Sequence, residues 1–178
     1  LITAASALLA LAAAPAWAGT IKLTSAGAFS GSETVVDFES ATDNTAVPVT
    51  SGVTFSGLYG EDDAGIRGLF SNTTPGNLVA ANYFMDANGG TPVTSAIQLD
   101  FDTAIDRLGF DAVTNPEDRI EIELFSESGG IYTSLGTADG FDTGWADTFV
   151  GVQGMSSFSR AQITVLGTNL STTAFAMN

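Results

Sequence analysis

Between Ser95 and Leu124 apolar and polar residues alternate so strictly that only pleated strands can use the pattern. In Ile97-Gln98-Leu99-Asp100-Phe101-Asp102, one face of a strand carries Ile97, Leu99 and Phe101, and the other carries Gln98, Asp100 and Asp102. The alternation returns in Leu108-Gly109-Phe110-Asp111-Ala112 and in Ile120-Glu121-Ile122-Glu123-Leu124. Three short antiparallel strands are therefore predicted, separated by a turn holding Asp106 and by Thr114-Asn115-Pro116-Glu117-Asp118, where Pro116 cannot donate to a ladder. One face of this trio is oily. The other is acidic and is relieved by Arg107, Arg119, solvent or cations, which makes it a solubilising outer face.

The same periodicity runs through the rest of the chain. Strands are expected at 20–24, at 34–39 with Val36 and Phe38 on one face, at 52–57, within 66–70 and 77–84, at 130–135, and over 147–152, 159–165 and 172–177. Residues 137–146 read as a Gly/Asp loop carrying Phe141 and Trp145. No amphipathic helix of useful length separates these runs. Strands recurring every ten to fifteen residues predict an all-β fold, an antiparallel β-sandwich or jelly roll.

The first 18 residues are different. Leu1 to Ala18 is an uncharged apolar run closed by Pro15 and the small-x-small triplet Ala16-Trp17-Ala18, the h-region and cleavage site of a secretory signal peptide. Its positive n-region is missing, so the chain is read as a fragment of a longer gene product. The run is shorter than the roughly 20 residues a bilayer span requires. Residues 19–178 then form one domain, long enough to bury roughly 70% of its unfolded surface.

Composition removes several kinds of chemistry. With 20 acidic residues against 5 basic ones the formal charge is -15, and the basic residues Lys22, Arg67, Arg107, Arg119 and Arg160 are scattered. Nucleic acid is therefore not an expected partner. There is no His and no Cys, which takes away the commonest general base, thiol nucleophiles and the usual ligands of zinc and copper. Paired carboxylates could run glycoside hydrolysis. No acidic residue lies in an apolar run that would raise its pKa, so an enzyme is not expected.

Val-Val-Asp-Phe-Glu at 35–39, Gly-Val-Thr-Phe-Ser at 52–56, Ile-x-Leu-x-Phe at 97–101, Leu-Gly-Phe-Asp at 108–111, Phe-Val-Gly-Val at 149–152 and Ala-Phe-Ala-Met-Asn at 174–178 together resemble the exported β-sandwich domains of bacterial PEP-CTERM, exosortase-processed proteins. The Pro-Glu-Pro motif, apolar helix and basic tail that define those proteins are not in this sequence. For a fragment cut before that tail, the resemblance implies export, tail processing and residence at the cell surface or in an extracellular polysaccharide matrix, with polysaccharide or other surface proteins as partners; for a gene ending near Asn178 it implies a simply secreted protein.

The pattern also resembles jelly-roll carbohydrate-binding domains, in which a structural calcium is held between an early acidic residue and one near the last strand. That resemblance implies Glu39 and Asn178 as ligands; calcium accepts such hard oxygen donors. Asp86 and Asn88 look like the opening of a calcium loop, but a tight turn is the better reading, because later ligands at EF-hand spacing are missing. Glu61-Asp62-Asp63 reads as a solvated acidic loop. Sugar binding needs aromatic platforms beside polar groups, for which Tyr59, Tyr83, Phe141 and Trp145 are the candidates. The same rings can instead cap the core at its ends. The expected function is a non-enzymatic surface or matrix protein with a structural or adhesive role. The alternative is a calcium-dependent carbohydrate-binding module, and the third reading is a glycoside hydrolase.

Overall fold

The structure is a computed structural model that describes residues 19–36, 38, 45–60, 80–81, 97–114, 118–142, 148–166 and 175–177. These residues form strands β1 (Thr20–Leu23), β2 (Val53–Ser56), β3 (Tyr59–Gly60), β4 (Ala80–Ala81), β5 (Ile97–Thr114), β6 (Arg119–Ser128), β7 (Ile131–Asp142), β8 (Thr148–Leu166) and β9 (Phe175–Met177). All described pairings are antiparallel, as the alternation predicts. The order is β3-β4-β9-β5-β8-β6-β7, with β1 added to β8 and β2 to β5. Among the described residues no helix is long and apolar enough to cross a membrane. Residues 1–18, on which the signal-peptide expectation falls, lie outside the described ones.

Two strands of 18 and 19 residues, β5 and β8, carry the assembly. Both change neighbours partway. The first part of β5 pairs Leu99 with Phe55 of β2 and with Ala161 of β8. Its later part pairs Phe110 with Val150, and Val113 with Ala176 of β9. Similarly, β8 holds β1 through Leu23 and Gly151 near its start, and β6 through Ile122 and Ile163 near its end.

The turn predicted at Asp106 is absent. Strand β5 runs through it, with register shifts between Asp100 and Ile105 and between Ile105 and Arg107. The reason lies in the parity of the apolar positions, which are odd at Ile97, Leu99, Phe101 and Ile105 but even at Leu108, Phe110 and Ala112. An odd number of extra residues reverses the faces of a strand without reversing the chain, and both strands supply one. Strand β5 runs from Asp100 to Ile105 while β8 moves only from Arg160 to Phe158, and β8 then runs from Phe158 to Gln153 while β5 moves only from Ile105 to Arg107. The trio is also not contiguous, because β8 lies between β5 and β6.

Two further expectations change. Residues 34–36 form no strand, although the predicted alternation survives in their burial: Val36 packs on the core and Phe38 is buried, whereas Val35 is 81% exposed. Residues 137–142 belong to β7 rather than to a loop. Gly140, one of the glycines behind the loop reading, serves a bulge instead, as does Gly136 just before it. Gly136 has φ +123° and Gly140 φ +70°, and the β6–β7 register slips beside each of them.

One cluster of buried residues joins both parts of the long strands. Ile97, Ile120, Ile122, Leu124, Val150, Val152, Phe158 and Ala161 are completely buried, and Phe101 meets Phe158 edge to face at 5.8 Å. Each large aliphatic side chain in such a core contributes about 1.5–3 kcal/mol by leaving water. At the edges, β1 comes against β7. Lys22 donates from Nζ to the Gly140 carbonyl at 2.6 Å and sits 4.3 Å from the centre of the Phe141 ring.

On the outer side of the later β5 pairing, Gly109 faces Gly151 and leaves a slot. Phe149 and Phe29 lie over it, edge to face at 6.0 Å, and Arg107 ties the Phe29 segment down by donating to the Ala28 carbonyl at 2.8 Å. A Cβ at Gly151 would lie 2.6 Å from Phe149 Cζ. Gly151→Ala is therefore expected to cost about 1–3 kcal/mol in denaturant unfolding. Combining it with Phe149→Ala should cost less than the sum of the two single substitutions.

Next to Phe29, the Glu33 carboxylate accepts from the Ser30 backbone N–H at 2.8 Å and the Ser30 hydroxyl at 2.9 Å. The backbone donor leads in lowering its pKa from 4.5 to about 2. The stabilisation from this depressed pKa is present above 4.5 and lost as pH falls toward 2. Melting temperature should accordingly fall less steeply over that window in Glu33→Gln than in the parent chain.

Candidate functional site

The outer face opposite Ile97, Leu99, Ile122 and Leu124 is ordered by register. Where β2, β5, β8, β6 and β7 lie side by side, cross-strand partners line up in rows. One row runs Thr54, Asp100, Arg160, Phe125, Ser134, and the next runs Ser56, Gln98, Gln162, Glu123, Thr137. Each side chain points outward because its neighbours along the strand, such as Leu99, Ala161 and Leu124, point into the core.

Five of these side chains, Gln98, Asp100, Arg160, Glu123 and Ser134, are engaged within the two rows. Asp100 accepts from Arg160 Nε at 2.5 Å and from Gln98 Nε2 at 2.7 Å. The Arg160 guanidinium lies 3.5 Å from the centre of the Tyr132 ring, and Ser134 donates to Glu123 at 2.5 Å. Arg160 thus holds a planar fork between a carboxylate and an aromatic face, an arrangement to which a lysine ammonium is poorly suited. Both Asp100 and Arg160 are about three-quarters covered, at 27% and 23% side-chain exposure. Their attraction is therefore screened less than that of a fully exposed pair.

Asp100, Glu121 and Glu123 share this face, as the alternation predicts. Arg160 supplies the compensating charge beside Asp100, whereas Arg107 reaches the Ala28 carbonyl and lies 3.9 Å from Asp106. Arg160 and Gln162 carried a readable signal, alternating with Ala161 and Ile163. Their partners did not, since nothing local says that β8 inserts between β5 and β6. Tyr132 had no signal at all beyond strand propensity.

Of the other sequence-derived candidates, Phe141 lies in β7 opposite Ile120, is 3% exposed and belongs to the core. Tyr59 contributes its backbone to β3. Trp145, Tyr83, Glu39, Asn178, Asp86, Asn88 and the Glu61-Asp62-Asp63 loop lie outside the described residues. Among the described residues no three acidic side chains are grouped so as to hold a metal ion.

No protein-family model matches this chain, and no curated protein or solved structure matches it. The geometry of the face is consequently the direct guide to its chemistry. A double-mutant cycle of Asp100→Ala and Arg160→Ala, read by urea unfolding, should return a coupling of about 1 kcal/mol. Tyr132→Ala should reduce that coupling, because the ring braces the guanidinium.

Proposed function

We propose that this chain is the β-sandwich domain of an exported protein of the bacterial cell surface or extracellular matrix, with a structural and adhesive role and no catalytic one. The observation that carries the reading is the outer face of β2, β5, β8, β6 and β7, where hydrogen-bonded side chains stand in register on a rigid sheet. A broad, preorganised polar surface favours holding a partner, because its side chains lose little freedom on contact.

A sandwich is the arrangement that best accommodates the two neighbourhoods of β5 and β8. Their inner side chains meet in one core, and Lys22 closes β1 against β7. Export is supported by the leader pattern of residues 1–18, and a surface address by the resemblance to PEP-CTERM domains. An acidic exterior suits such a protein, since net charge keeps it soluble before it attaches.

Adsorption to a polysaccharide-rich bacterial biofilm matrix tests the reading. The purified chain should bind saturably and release no reducing ends over hours. Failure to adsorb, or steady release of reducing ends, would overturn it.

A further inference from the structure

The face also has a definite ligand chemistry. Asp100 only accepts hydrogen bonds, the Arg160 guanidinium only donates, and Gln98 and Gln162 do both. Hydroxyl groups, which donate and accept, complement such a mixture. The anionic groups of a carboxylated or phosphorylated polymer only accept, and the charge of -15 would repel them. We infer that the rows centred on Gln98, Asp100, Arg160 and Gln162 bind a neutral, hydroxyl-rich polysaccharide laid across the strands.

Spacing supports the same ligand. Neighbouring strands stand about 4.7–4.9 Å apart, so successive members of a row repeat at close to the length of one sugar in an extended glycan. The row Ser56, Gln98, Gln162, Glu123 and Thr137 presents a polar group on each of five strands, one to each of several consecutive sugars. Tyr132, 39% exposed with the Arg160 guanidinium over its ring, holds that donor in place beside Asp100. Gln98, Asp100 and Arg160 are held by one another before the ligand arrives, so little further ordering of these three opposes binding.

This inference rests on the adhesive reading and names what that surface holds. It is tested by affinity electrophoresis of the purified chain through gels containing a neutral polysaccharide (a β-glucan, xylan, mannan or starch), an acidic one (alginate) or a cationic one (chitosan). Retardation by at least one neutral polymer is expected, weakened about tenfold in Gln98→Glu/Gln162→Glu. Those substitutions keep side-chain size, and melting temperature checks that the fold is intact. Tyr132→Ala, at a more exposed position, should weaken binding in the same direction.

Retardation by chitosan or alginate alone would overturn the inference, as would neutral-polymer binding indifferent to both variants or no retardation at all. Adsorption to biofilm matrix without neutral-polymer binding would remove the glycan and leave the adhesive reading standing. Loss of both would remove both.

Discussion

The pairing of β5 with β8 is the constraint on which the rest depends. Each strand is too long to keep one set of neighbours while its apolar residues change parity, so each must slip and re-pair. Before the slip, β5 holds β2; after it, β5 holds β9. Over the same length β8 passes from β1 to β6. The bulges are thus the joints through which two neighbourhoods of strands share one core. Their location is set by hydrophobic burial: without the slip, either Ile97 and Leu99 or Phe110 and Ala112 would have to face water.

The same registers determine the outer surface. Because Gln98 and Asp100 alternate with core residues on β5, and Arg160 and Gln162 do so on β8, the pairing that buries the apolar set aligns the polar set. A single guanidinium then serves both neighbours, accepting no hydrogen bond itself while giving Asp100 a partner and lying against Tyr132. On the other part of the long strands the surface is different in kind. There a Gly109–Gly151 pair makes room for two phenylalanine rings, and an N-terminal segment lies over the sheet. One sheet therefore offers a polar surface in one place and a covered aromatic one in another.

Much of this was legible in local pattern. The burial of Ile97, Leu99, Ile120, Ile122 and Leu124, and the placement of Asp100, Glu121 and Glu123 on the opposite side, follow from period-two alternation alone. The slip near Asp106 was written in the change of parity, but a polar residue between two apolar runs suggests a turn as readily as a bulge. Gly140 suggested a loop for a related reason, since positive φ serves both a loop and a bulged strand. Strand order was not legible. The insertion of β8 between β5 and β6 joins residues 35 (Phe125 and Arg160) to 66 (Ile97 and Ile163) positions apart in the chain, and no local preference encodes it. The site inherits that limit: Arg160 could be placed on an outer face, but not beside Asp100 or Tyr132.

Cross-strand Hα–Hα nuclear Overhauser effects test that order most directly, because antiparallel partners in the closely spaced class bring their Cα atoms to about 4.5 Å. This strand order predicts contacts from β5 to β8 on both sides of the irregularity, around Leu99–Ala161 and around Phe110–Val150, and from β8 to β6 around Ile122–Ile163. Contacts between residues 97–101 and 108–112 within a hairpin, or directly between β5 and β6, would contradict it.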